Sequence, residues 1–150
     1  MTSQTDTELR LAAAAALRAL GRSASYQDRA DAGRGLAALA ELPEAQQPLL
    51  DLVLDPDDTY VTRVTVRALL RRNDRAGLTI VASALAVADD NHADWIHTAV
   101  HDVLSIFATD RDDALRLCER IAQGDDDRVA RGAGALRAIL ADIDPVLRPA

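Results

Sequence analysis

An Asp stands six residues before an Arg at Asp28/Arg34, at Asp57/Arg63 and at Asp125/Arg131, and the same columns of side chains return around each Arg. Two residues before it comes Ala32, Val61 or Val129, and one after it Gly35, Val64 or Gly132. Leu36, Thr65 or Ala133 follows two after it, and Leu39, Ala68 or Leu136 five after it. A fourth copy has Thr98 in the Arg column, with Ile96, Ala99, Val100 and Val103 around it. The apolar positions in each copy fall three and four residues apart, the spacing of one helix face. From 34 to 63 to 98 to 131 the pitch is 29, 35 and 33 residues, room for two helices per copy. Helical pairs repeated at such a period bury their apolar faces against their neighbours, which is the signature of an α-solenoid.

The intervening chain supplies the other helix of each pair. The first is expected over about Asp6–Leu20, capped by Thr5 or Asp6 and stopped at Gly21, with an apolar stripe of Leu9, Ala13, Ala16, Leu17 and Leu20. Ser23 and Ser25 offer caps for a second over Tyr26–Glu41, which Pro43 ends. A third carries Pro48 in its first turn and reaches Leu54, and Thr59–Arg72 and Arg75–Ala88 follow. The Arg75–Ala88 segment is apolar almost all round, so it is expected mid-stack. Asp89–Phe107 reads as a helix with an apolar face of Ile96, Ala99, Val100, Val103, Leu104 and Phe107, opposite His97, Thr98, His101, Asp102 and Ser105. Arg111–Gln123 and a helix from Asp125–Asp127 to about Ala141 complete the set, and the tail with Pro145 and Pro149 is expected to fray. The chain is thus all-α, one domain over 1–150, with repeats at approximately 6–41, 43–72, 74–108 and 110–141 and a tail at 142–150.

Composition agrees with close-packed helices. Apolar residues make up 49% but aromatics only 3%, so the core must be built from Ala, Leu, Val and Ile. The formal charge is −7, which works against generic nucleic-acid or anionic-membrane binding. Cys118 is the single cysteine, so an internal disulfide is excluded and a reducing compartment fits. Arg18 interrupts the apolar run Leu11–Leu17, a poor signal sequence. The charge-free stretch Ala76–Ala88 is too short to span a bilayer. An acidic cytoplasmic protein with no membrane partner is the expectation.

The run Leu49-Leu50-Asp51-Leu52-Val53-Leu54-Asp55-Pro56-Asp57-Asp58-Thr59-Tyr60-Val61-Thr62-Arg63 resembles a HEAT repeat, as does Asp125 to Leu140. The resemblance extends from about Tyr26 to Leu140. It implies a short right-handed superhelix of about four antiparallel helical hairpins, with the second helices lining a concave face. It also implies a ladder in which the turn Asp meets the second-helix Arg, so Arg63 and Arg131 are expected to contact turn carboxylates. Repeat three carries His92 and Thr98 where that ladder has Asp and Arg, and the pitch is shorter than is usual for HEAT units.

Several side chains are of types that carry chemistry. Asp94, His97 and His101 lie within one sector of a helix, and two imidazoles with a carboxylate are a legitimate zinc set. No Glu stands between the histidines to act as a general base, so a zincin-type peptidase is unsupported, and the plain alternative is a polar stripe. The clusters Asp55–Asp58, Asp89–Asp90, Asp110–Asp113 and Asp125–Asp127 lack the alternating ligands, central Gly and final Glu of a calcium loop. Their position ahead of helices suits capping. Arg63, Arg67 and Arg71 form a basic strip at i, i+4 and i+8. Cys118 has apolar neighbours at helical spacing, so a buried, inert thiol is expected.

No catalytic residue and no cofactor emerge from the pattern. The reading is a non-enzymatic protein-binding module, an adaptor or scaffold, with its contact face on the second helix of each repeat. Because the ladder fails in repeat three, the contact centre is expected at Trp95, His97, His101 and Asp102, flanked by Tyr60, Arg63, Arg67 and Arg131. Two other readings stand beside it: an immunity protein neutralising a basic toxin, and a metal- or nucleic-acid-dependent enzyme.

Overall fold

A computed structural model of the chain describes residues 2–150. Those residues form eight helices: α1 (Thr2–Leu20), α2 (Tyr26–Ala37), α3 (Pro43–Val53), α4 (Thr59–Arg72), α5 (Arg75–Leu85), α6 (Asp90–Leu104), α7 (Ala108–Ala122) and α8 (Asp127–Ala141). Short side chains start most of them. Ser25, Asp58, Asp74, Asp89 and Asp126 each accept a backbone N–H from the first turn of the helix that follows, as the acidic turns predict. The Asp110–Asp113 cluster is the exception. It lies inside α7, whose N-cap is Phe107 without a side-chain bond. Pro43 opens α3 at its first position instead of only closing the segment before it, and Pro48 falls within the helix rather than in its first turn.

Packing arranges the helices in two rows. α4 lies between α2 and α6 and makes most of its contacts with them, while α1, α3, α5 and α7 touch one another in succession. The last pair breaks the pattern. α8 packs on α7 and α5 and barely touches α6, and α5 and α6 barely touch each other. The expected row of four second helices is therefore a row of three, and α5 is covered by α8. Burial of Leu78, Val81, Ala82 and Ala84 places α5 mid-stack, as its all-round apolar character requires.

Glycines mark where the helices approach closest. A Cβ on Gly33 of α2 would stand 2.1 Å from Thr65 Oγ1 of α4. One on Gly132 of α8 would stand 1.8 Å from the Ala82 carbonyl oxygen of α5. In a chain so poor in aromatic bulk, helix axes are drawn together until α2 meets the Thr65 side chain at Gly33 and α8 meets the α5 backbone at Gly132, and a Cβ has no room at either crossing. Gly132 is the local reason that α8 can sit down on α5.

Two terminal expectations need correction. On α1, Leu9, Ala13 and Ala16 are exposed, while Ala14 is buried and Leu17 and Leu20 are half-buried. As the end helix, α1 packs mainly on α2 and α3 among the described residues, so half of its stripe is left uncovered. The C-terminal tail does not fray. α6 stops at Leu104, leaving the carbonyls of Ser105 and Ile106 free to accept the backbone N–H groups of Val146 (2.9 Å) and Leu147 (2.7 Å). Ala108 N–H donates back to the Leu147 carbonyl at 2.8 Å, and Ile143 and Pro145 are buried. Phe107, expected on the apolar face of α6, lies beyond that helix and is 49% exposed.

The two glycines of α8 give opposite expectations. Gly132→Ala must push backbone against backbone and is expected to destabilise by about 1–3 kcal/mol. Gly134→Ala meets nothing within 4 Å and is expected to stabilise by about 0.5–1 kcal/mol through helix propensity. Denaturant midpoints of the two variants check this; equal midpoints would show that α8 does not sit on α5.

Candidate functional site

The face carrying most of the candidate residues is held in register by a buried polar network that does not follow the expected ladder. Arg29, on the inner side of α2, is only 8% exposed. Its Nε and Nη2 donate to the two carboxylate oxygens of Asp55 at 2.8 and 3.1 Å, and its Nη1 donates to the carbonyls of Ser23 and Ala24, both at 3.1 Å. Asp55 Oδ2 also accepts the N–H groups of Asp57 and Asp58, which closes the α3–α4 turn. The hydrogen-bonded Asp55 carboxylate raises the Arg29 pKa against the desolvation that would lower it.

From that turn the network reaches α6. His92 Nε2 lies 2.8 Å from the Asp55 carbonyl oxygen, and Nδ1 lies 2.8 Å from Asp89 Oδ1. With an acceptor at each nitrogen, only the doubly protonated ring can donate to both. Burial is the largest single influence on His92 and opposes its charge, but the Asp55 carbonyl and the Asp89 carboxylate together prevail, so its pKa is raised. Asp89 is held below its ordinary value, chiefly by the His92 backbone N–H and then by the ring. The position where repeat three departs from the ladder is therefore the one that docks α6 onto the neighbouring turn.

The rungs expected at Arg63 and Arg131 are absent. Arg63 bonds Asp102 of α6 through Nε at 2.9 Å, not a turn carboxylate. Arg34 bonds Asp31 on its own helix at 2.9 Å and the Tyr60 hydroxyl at 3.0 Å. Arg131 is exposed and has no ion pair among the described residues. Arg29 and Asp55 were not among the expected site residues. Their signal was an Arg inside the apolar run Ala30, Ala32, Gly33, Leu36, where a charge must find a buried partner.

Across α2, α4 and α6 the structure gathers the aromatic and basic candidates. Tyr26 and Tyr60 meet edge to face, with centroids 5.8 Å apart and planes at 86°. The Arg63 guanidinium stands 5.9 Å from the Trp95 ring, at cation–π range, while its Nε holds Asp102. Trp95 is half-buried, His97 exposed and His101 half-buried, the two imidazoles stacked at 4.7 Å. Arg67 lies on the same helix as Arg63, half-buried, with Nε shielded from solvent and lacking an acceptor. Arg131, carried on α8 beside α5 and α7, is not brought to this group.

The structure does not support Asp94, His97 and His101 as a metal set, since no three His, Cys, Asp or Glu groups among the described residues could hold an ion. The imidazoles of His97 and His101 pack on each other, with centroids 4.7 Å apart. Cys118 is fully buried, and desolvation pushes its thiol up to about 12, so it is no nucleophile. A cleft of about 670 Å³ opens elsewhere, over the Arg29–Asp55 pair, and mixes Arg18 and Arg22 with Glu44 and Asp57. No described helix is long and apolar enough to cross a membrane. In comparisons with protein-family models, curated proteins and solved structures, the chain matches none.

Two outcomes test the network. Asp55→Ala leaves the Arg29 guanidinium buried without its partner and is expected to cost about 3–5 kcal/mol in denaturant unfolding; an unchanged midpoint would mean that the pair does not hold the turn. His92 has its pKa raised above the ordinary 6.5. Its contribution is therefore full below that value and is lost as pH rises through the folded-state pKa. The stability gap between the wild type and His92→Gln should be wider at pH 6 than at pH 8. A gap that widens with pH contradicts the assignment.

Proposed function

We propose that the chain is a non-enzymatic protein-interaction module, an adaptor or scaffold working in the cytoplasm. Its partner face is the exposed surface of α2, α4 and α6. The observation that carries this reading is the concentration of Trp95, Tyr60, Tyr26 and Arg63 on adjoining helices of a protein with so few aromatics. Tyr, Trp and Arg are the side chains that most often anchor interfaces, because they bury large area at low entropic cost and keep a polar handle. On this reading the helical pairs form a short right-handed, HEAT-like solenoid, and the irregular last pair closes one end of it. Arg131 then lies outside the contact centre, which consists of Trp95, His97, His101, Asp102, Tyr60, Arg63 and Arg67.

A second reading, an immunity-type inhibitor of a basic toxin, is favoured by the net charge of −7 and by the carboxylates of the turns. It uses a different surface, the turn edge that carries Asp57, Asp58, Asp89 and Asp90.

Among the described residues His97 and His101 make no hydrogen bond through their rings, so removing both should spare the fold. His97→Ala combined with His101→Ala is expected to leave the melting temperature within a few degrees of the wild type and to weaken partner capture. Trp95→Ala should weaken capture further. Partner retention by all three substitutions, with loss on Asp57→Lys/Asp58→Lys, would transfer the contact to the turn edge. Stoichiometric zinc uptake by calorimetry, lost in the double histidine variant, would instead favour the metal-dependent reading.

A further inference from the structure

The C-terminal half of α4 is chemically unfinished. Arg63 is paired with Asp102, and Arg72 with Glu41 and Asp74. Arg67 and Arg71, one turn apart, have no ion pair among the described residues. Arg67 Nε is buried without an acceptor, and Asn73 Oδ1, at the end of the same helix, is buried without a donor. Asn73 is not free to turn away. Its backbone is left-handed at φ 46°, and its Nδ2 donates to the Asp110 carbonyl at 3.1 Å.

Arg71 and Asn73 line a cleft of about 280 Å³ whose other walls include Leu70, Ile106 and Phe107. Ile106 and Phe107 are 40% and 49% exposed, and Val146 and Leu147 on the paired tail extend that apolar surface. Backbone hydrogen bonds from the tail fix all four. Apolar side chains held in water by a fixed backbone form a standing patch. Charge decides what belongs beside it. Of the two carboxylates in the cleft, Asp102 is taken by Arg63. Asp110 lies in the first turn of α7, where unpaired helix N–H groups offset its charge. The guanidinium groups of Arg67 and Arg71 are left uncompensated.

We infer that this cleft docks a short segment of the partner in which a carboxylate side chain adjoins a bulky apolar one. The carboxylate meets Arg71, and the apolar group covers Phe107 and Ile106. The inference rests on the reading of the α2–α4–α6 face as a partner surface and names the chemistry that this face selects.

The test is selection of a displayed random peptide library on the intact chain, followed by anisotropy titration of the leading peptide. Enriched sequences should place Asp or Glu beside Leu, Ile, Phe or Trp. Affinity should fall about tenfold or more in Arg71→Glu, as expected for a lost charged hydrogen bond, and similarly in Phe107→Ser. It should be unchanged in Arg128→Glu, an exposed unpaired cation on α8, with circular dichroism confirming that each variant is folded. Enrichment of Lys and Arg, no enrichment, or binding that survives Arg71→Glu overturns the inference. A concentration-dependent dimer abolished by Arg71→Glu also overturns it, because the occupant would then be a second copy. Peptides lost in Trp95→Ala but kept in Arg71→Glu would sink the cleft and leave the wider face standing. The reverse pattern would uphold the cleft and sink the wider face.

Discussion

Asp55 holds together parts of the chain that are far apart in sequence. Its carboxylate neutralises a buried Arg29 on α2 and ties down the N–H groups of its own turn, and its carbonyl receives His92 from α6. Three helices that share the candidate face thereby refer their positions to one residue. A buried ion pair of this kind gains little over an apolar substitute, but breaking it leaves a charge stranded. The network therefore penalises any arrangement in which α2, α4 and α6 slip past one another. The Thr65 side chain seated against Gly33 restricts two of these helices from the other direction, because it fixes how closely α2 and α4 approach.

Charge is not spread evenly over this acidic protein. Carboxylates concentrate at the turns, where helix N-termini favour them, and the cations of α4 face outward between α2 and α6. A net charge of −7 thus coexists with a helix, α4, on which Arg67 and Arg71 have no ion pair among the described residues. That separation turns the two interaction readings into statements about different surfaces. A basic partner belongs on the turn edge, and an acidic, apolar segment belongs beside Arg71 and Phe107.

The candidate site was only partly legible in the sequence. Residue type and repeat position point to Trp95, Tyr60, Arg63 and Asp102; the structure sets Trp95 and Asp102 against Arg63, while Tyr60 meets Tyr26 and Arg34. Arg131 was named from the same column and is carried elsewhere by α8. The column records a periodicity, whereas the placement of α8 depends on Gly132 reaching the Ala82 backbone, a contact between residues fifty positions apart. The Asp–Arg ladder failed for a related reason. Spacing can place an Asp and an Arg one helical turn and a loop apart, but which carboxylate a long guanidinium reaches depends on the neighbouring helix.

The sequence by itself determined that the chain is helical, where most helices start, and which segment lies mid-stack. Those properties follow from local physics: apolar spacing, capping carboxylates, and too few Gly and Pro for a loop-rich fold. Only the tertiary structure decided that α8 covers α5, that the tail seals the end of α6, and that Phe107 stands in solvent. It also decided that Arg29, Asp55 and His92 form one network. Each of these is settled by which distant backbone or side chain satisfies a group that local structure leaves open, and one chain's periodicity carries no record of that partner.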